Sequence, residues 1–133
     1  MTAKPVAHAT LIGRPGAHAQ DVRIRHHRLA ADEPPSAGGA DAGPTPYELL
    51  LAGLGACTAI TLRMYAQHKG WELGETSVEL HLFKDGDAAR IEREVRFSAP
   101  LSAEQRARLA DIAERTPVTK TIKAGAPIET RFP

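Results

Sequence analysis

The stretch that most constrains this chain runs from Leu49 to Leu62 and carries no charge. It lies inside a segment with a clear start and stop. Thr45-Pro46-Tyr47-Glu48 has the form of a capping box, with Thr45 as N-cap, Pro46 at the first helical position and Glu48 at the third. Gly70 supplies the stop, so the pattern predicts a helix to about Lys69. Leu50, Leu54, Cys57, Thr61, Met64 and His68 form one stripe, and Leu49, Leu51, Ala52, Ala56, Ala59 and Ile60 cover most of the rest. A helix that is apolar all round is buried on every side. A chain of 133 residues cannot easily surround such a helix alone. The expectation is therefore a homo-oligomer with this helix near its centre, where Gly53, Gly55 and Ala56 leave room for a close helix neighbour.

The uncharged run is too short to span a bilayer and is broken by glycines. The N-terminal Met1 to His8 contains no apolar block of the secretory kind. A cytoplasmic protein with no membrane partner is the expectation. Apolar residues make up 42% of the chain, enough for one ordinary core, and residues 1–133 are read as a single domain. Seventeen basic residues against sixteen acidic ones argue against a protein that holds nucleic acid by bulk charge. Aromatic residues, at 5%, are too few for a base-stacking platform. A single cysteine excludes an intrachain disulfide and a multi-thiolate zinc site.

Around the helix the patterns alternate. Val6 to Ile12 and Asp21 to Leu29 read as two strands joined by the turn Gly13-Arg14-Pro15-Gly16, with adjacent His26 and His27 on opposite faces. Residues 34–46, rich in proline and glycine, read as a binding or covering loop. Thr76 to Lys84 sets Val78, Leu80 and Leu82 against Glu79, His81 and Phe83; Asp85-Gly86 turns; Ala89 to Ser98 continues with Ile91, Arg93, Val95 and Phe97. Ser102-Ala103-Glu104-Gln105 is a second capping box, opening a helix to about Arg115. Thr116-Pro117 starts a short helix, and Ala126 to Arg131 reads as a last strand. The order predicts an α+β protein with segregated strands.

Cys57 has two readings. A lone cysteine on an apolar helix is usually a small buried hydrophobe. As a nucleophile it would need a cation nearby and access to solvent, since mid-helix it gains nothing from the helix dipole. Arg14 is either a solvated turn arginine or a mobile cation that stabilises the thiolate. Glu48 is explained by the cap alone; along a straight helix it lies roughly 13 Å from Cys57, within reach only through an arginine. Arg63 falls on the opposite side of the helix. None of the six histidines has metal-ligand spacing, and neither a metal nor a cofactor is expected.

The segment from Gly43 to Thr58, Gly-Pro-Thr-Pro-Tyr-Glu-Leu-Leu-Leu-Ala-Gly-Leu-Gly-Ala-Cys-Thr, resembles the OsmC and organic hydroperoxide resistance superfamily. Ala56 to Ala66, Lys69 to Leu73, Arg90 to Arg93 and Leu29 to Pro34 fit in the same order, so the resemblance covers nearly the whole chain. It implies an intertwined α+β homodimer with two central cysteine helices wrapped by antiparallel sheets. It also implies thiol peroxidase chemistry. Cys57 would attack an organic hydroperoxide, with Arg14 and Glu48 holding the thiolate and Tyr47, Leu54 and Thr116 beside the substrate. Two departures stand out. The family's second cysteine is Thr116 here, followed by Pro117-Val118, and a hydroxyl cannot condense with a sulfenic acid. The family's glutamate directly follows the proline, whereas here Tyr47 does and Glu48 comes one residue, about 100° of helix, later. The implied enzyme is a one-cysteine peroxidase resolved by an external dithiol such as dihydrolipoamide. The alternative is a non-catalytic member whose dimer cleft binds a small apolar molecule.

Overall fold

The structure is a computed structural model and describes residues 3–133. The chain divides into two compact units, residues 1–50 and 51–133.

In the first unit, strands β1 (Thr10–Gly13), β2 (Gln20–Ile24) and β3 (His27–Ala31) form an antiparallel meander in that order. Three strands stand where two were expected. The chain reverses at Arg25-His26, between the paired residues Ile24 and His27. Arg25 takes a positive φ of 52° and His26 does not, the pattern of a type II′ turn. Neither residue is a typical turn former, so the alternation of Val22, Ile24 and His26 reads straight through the reversal. The histidine rings do not face apart across a strand; their centroids lie 4.0 Å from each other at the turn. Residues 6–9, expected in the first strand, carry no regular structure.

A buried aspartate organises the loop that follows. The Asp32 carboxylate accepts hydrogen bonds from the backbone N–H groups of Glu33 (2.8 Å), Ala40 (3.1 Å) and Ala42 (3.0 Å), and its own N–H donates to the Pro44 carbonyl. The bond from Ala42, then that from Glu33, holds this carboxyl below the usual carboxylate range despite burial. The backbone closes so tightly that a Cβ on Gly39 would lie 1.9 Å from the Glu33 carbonyl oxygen, and one on Gly43 2.2 Å from that of Ala30.

Helix α1 (Pro46–Lys69) begins and ends where the sequence signals place it. The Glu48 N–H donates to Thr45 Oγ1 (3.2 Å), and the Thr45 N–H donates to Glu48 Oε1 (2.8 Å). At the other end Gly70, at φ 71°, allows a Schellman closure in which Trp71 N–H meets the Ala66 carbonyl and Gly70 N–H that of Gln67.

In the second unit, β4 (Thr76–Asp85) and β5 (Ala88–Phe97) pair antiparallel, from Thr76 opposite Phe97 to Asp85 opposite Ala88. Helices α2 (Ala103–Ala113) and α3 (Pro117–Ala124) follow. Both sides of the Ser102–Gln105 capping box are made. The core contains Leu62, Ala66, Leu73, Leu109 and Ala113, with Tyr65, Trp71, Val95, Phe97, Leu101 and Ile112 against it. Along α1, Leu54, Thr58, Leu62 and Ala66 are buried at intervals of four. Gly55 lets the helix approach β4, since a Cβ there would meet Leu80 Cδ1 at 2.9 Å. The room at Gly55 therefore serves the sheet and not a second helix.

As expected of a single chain this small, helix α1 is not covered on all sides by its own chain: Ala52, Gly53 and Ala56 are exposed, as are Ile60 (59%) and Met64 (63%). One expectation fails. The expected strand at Ala126 to Arg131 is exposed irregular chain, paired with no described strand. A strand needs a ladder partner, and alternation in the sequence cannot provide one. Taken whole, α1 also reaches the length and mean hydropathy (1.5 over eighteen residues) of a membrane span, which its uncharged run alone does not. Yet Arg63 within it donates to the Gly74 carbonyl (2.7 Å) and to Thr76 Oγ1 (3.0 Å), tying it into its own unit.

Candidate functional site around Cys57

Cys57 sits on the flank of α1, between the buried stripe and the exposed face, and is half-buried. Its Sγ lies 3.9 Å from Thr61 Oγ1, one helical turn on. The residue is therefore neither fully exposed nor sealed in.

The next residue points inward and anchors a polar cluster. Thr58, fully buried, donates to the Leu54 carbonyl (2.7 Å) and accepts from Arg93 Nη1 (2.9 Å). The same Nη1 donates to Thr119 Oγ1 (2.9 Å), while Nη2 donates to the Ala113 carbonyl (3.1 Å) and to Glu114 Oε2 (3.2 Å). Thr119 shares a 2.6 Å hydrogen bond with Thr116, whose side chain is fully sealed. Arg93 thus ties together α1, the end of α2 and the start of α3. Its side chain keeps only 13% of its surface. A guanidinium in such a place needs partners, and two hydroxyls, a carbonyl and the Glu114 carboxylate engage its Nη1 and Nη2 groups, leaving Nε without one among the described residues. Lys123, and then Arg93, hold the Glu114 carboxyl below its usual range.

Within this unit Leu54 is buried one turn before Cys57, and Thr116 connects to the cysteine's neighbour through Thr119 and Arg93. Arg14, Tyr47 and Glu48 belong to the first unit. Arg14 is exposed on the β1–β2 connection, with no side-chain partner among the described residues. Tyr47 is half-exposed on the first turn of α1. Glu48 is exposed, with one oxygen engaged by the cap. Arg93 is not among the site residues expected from the sequence. The signal was its place in the inward series Ile91, Arg93, Val95, Phe97, where a charge breaks an apolar pattern. Among the described residues no group of three or more His, Cys, Asp or Glu could hold a metal.

The family model for OsmC-like proteins matches residues 38–131. Solved structures share the fold at low identity. One is described as a putative osmotic stress induced and detoxification response protein from Psychrobacter arcticus, 16% identical, with a TM-score of 0.77 over 91% of both chains. Another is an organic hydroperoxide resistance protein OsmC from Legionella pneumophila, 21% identical, with a TM-score of 0.69 over 92% of both. A third is the organic hydroperoxide resistance protein OhrB of Bacillus subtilis, 23% identical, with a TM-score of 0.63 over 89% of this chain and 90% of that one. No curated protein sequence matches significantly. With the family model matching well over half its length, the chain belongs to the OsmC-like protein family.

Proposed function

We propose that this protein reduces organic hydroperoxides through a single peroxidatic cysteine, Cys57. The observation that carries the reading is the half-buried cysteine, Cys57, on α1, inside the segment matched by the family model. Neighbours described as organic hydroperoxide resistance proteins support the substrate class. The Cys57 thiolate attacks the distal peroxide oxygen and the O–O bond breaks. The alcohol leaves, taking a proton, and Cys57 becomes a sulfenic acid. An external dithiol condenses with it, releasing water and forming a mixed disulfide. The second thiol of that reductant then closes its own disulfide and returns the Cys57 thiol.

Thr116 cannot supply an internal resolving thiol, so the reductant enters at every cycle. Arg14, a cation with no side-chain partner among the described residues, is the group proposed to hold the thiolate, with Glu48 orienting it. Tyr47 and Leu54 flank the substrate, and Thr116 closes the inner wall. The exposed apolar face of α1 supports a homodimer, in which a second copy covers Ala52, Ala56, Ile60 and Met64. The cytoplasm, a reducing compartment, suits a lone thiol.

The test is consumption of cumene hydroperoxide with dihydrolipoamide as reductant. Turnover that disappears in Cys57→Ser supports the proposal, and consumption no faster than in that variant ends it. One observation favours the non-catalytic alternative, in which the dimer cleft only binds a small apolar molecule: Glu48 already serves the helix cap. Cumene alcohol binding without any peroxide turnover would select it.

A further inference from the structure

A groove of about 370 Å³ lies between β5 and α2, and Cys57 is not among its lining residues. Its walls are apolar, from Leu62, Val95, Phe97 and Leu109. Three charged residues border it: Arg93, Arg106 and Glu114. Glu114 is already matched by Lys123 (2.7 Å) and by Arg93. Arg106, exposed on α2, has no side-chain partner among the described residues, and Arg93 Nε donates to none of the acceptors around that side chain. The groove therefore combines an apolar trough with guanidinium donors left over after internal pairing. Its volume is at the lower end of the range for small-molecule sites, about 300–1,000 Å³.

The geometry points to a binding site for a small anion with an apolar body, a medium-chain carboxylate, whose chain lies along Val95, Phe97 and Leu109 and whose head group meets Arg106 and Arg93 Nε. A carboxylate fits better than a neutral apolar molecule because the spare groups are all cationic donors. A cation would meet a carboxylate that is already paired.

Titration of the full chain with octanoate, followed by backbone amide NMR, tests the site. Saturable shifts at Val95, Phe97, Arg106 and Leu109 are expected, and they remain in Cys57→Ser, which separates this site from the peroxidase reading. Position 106 is exposed, so Arg106→Glu keeps the fold; it weakens octanoate by about tenfold or more, the scale of one charge-assisted hydrogen bond. Ala110→Trp, at another exposed position lining the groove, blocks binding by filling the trough. Absence of saturable shifts at those residues overturns the proposal. So does 1-octanol binding as tightly as octanoate, or Arg106→Glu leaving the affinity unchanged.

Discussion

The two faces of α1 differ in what covers them. Leu54, Thr58, Leu62 and Ala66 repeat every four residues and are sealed by their own unit. Ala52, Ala56, Ile60 and Met64 repeat at the same interval about 200° away and stay open. Both stripes are apolar or nearly so, and neither carries a charge. The inner face is made specific by one hydroxyl, Thr58, which receives a guanidinium from β5. The outer face has no polar group to be read by this chain. Burial on one side thus follows from partners the chain provides, while apolar character on the other points to a partner it does not provide. Cys57 lies on the boundary between them.

Substitutions along the helix should separate the faces. The largest loss of stability is expected from Leu62→Ala, about 2–5 kcal/mol, because the site is sealed and cannot collapse freely; urea unfolding measures it. Thr58→Val should cost about 1–3 kcal/mol in the same assay, since it takes away an acceptor from a nearly buried guanidinium. Ile60→Ala should change the stability of the separated chain by no more than about 0.5 kcal/mol. Ile60→Asp should instead turn a dimer into a monomer, read by light scattering. A monomeric wild-type chain, or equal losses on both faces, would break the contrast.

The smallest effect belongs to the first unit and serves as a control for both faces. Asp32 has its pKa lowered by the fold, so its contribution is present above the ordinary carboxylate value of about 4 and fades as pH falls through the lowered one. The acid limb of the stability curve should therefore flatten in Asp32→Asn, with no change in the response of the Leu62 or Ile60 variants.

Much of this organisation can be read locally. The capping boxes at Thr45 and Ser102, the stop at Gly70 and the alternation of Val78, Leu80 and Leu82 are all settled within a few residues, and each appears where the pattern places it. What sequence reading missed depends on distance. The Arg25-His26 reversal hides because strand alternation continues across it. Arg93 meets Thr58 and Thr119 from 35 and 26 residues away, so its inward position is visible in the sequence but its partners are not. The Asp32 clamp reaches eight and ten residues forward, and only the crowding at Gly39 and Gly43 hints at it. The expected strand at Ala126 to Arg131 depends on pairing with distant chain, and it pairs with none of the described strands.

The most direct measurement is the chemical state of Cys57 after one equivalent of cumene hydroperoxide. Mass spectrometry should find one added oxygen on that sulfur within the mixing time; a sulfenic-acid trap should convert it to a stable adduct with loss of water, and dihydrolipoamide added before the trap should restore the thiol. A thiol that remains unmodified, in protein that is folded by circular dichroism, would contradict the account.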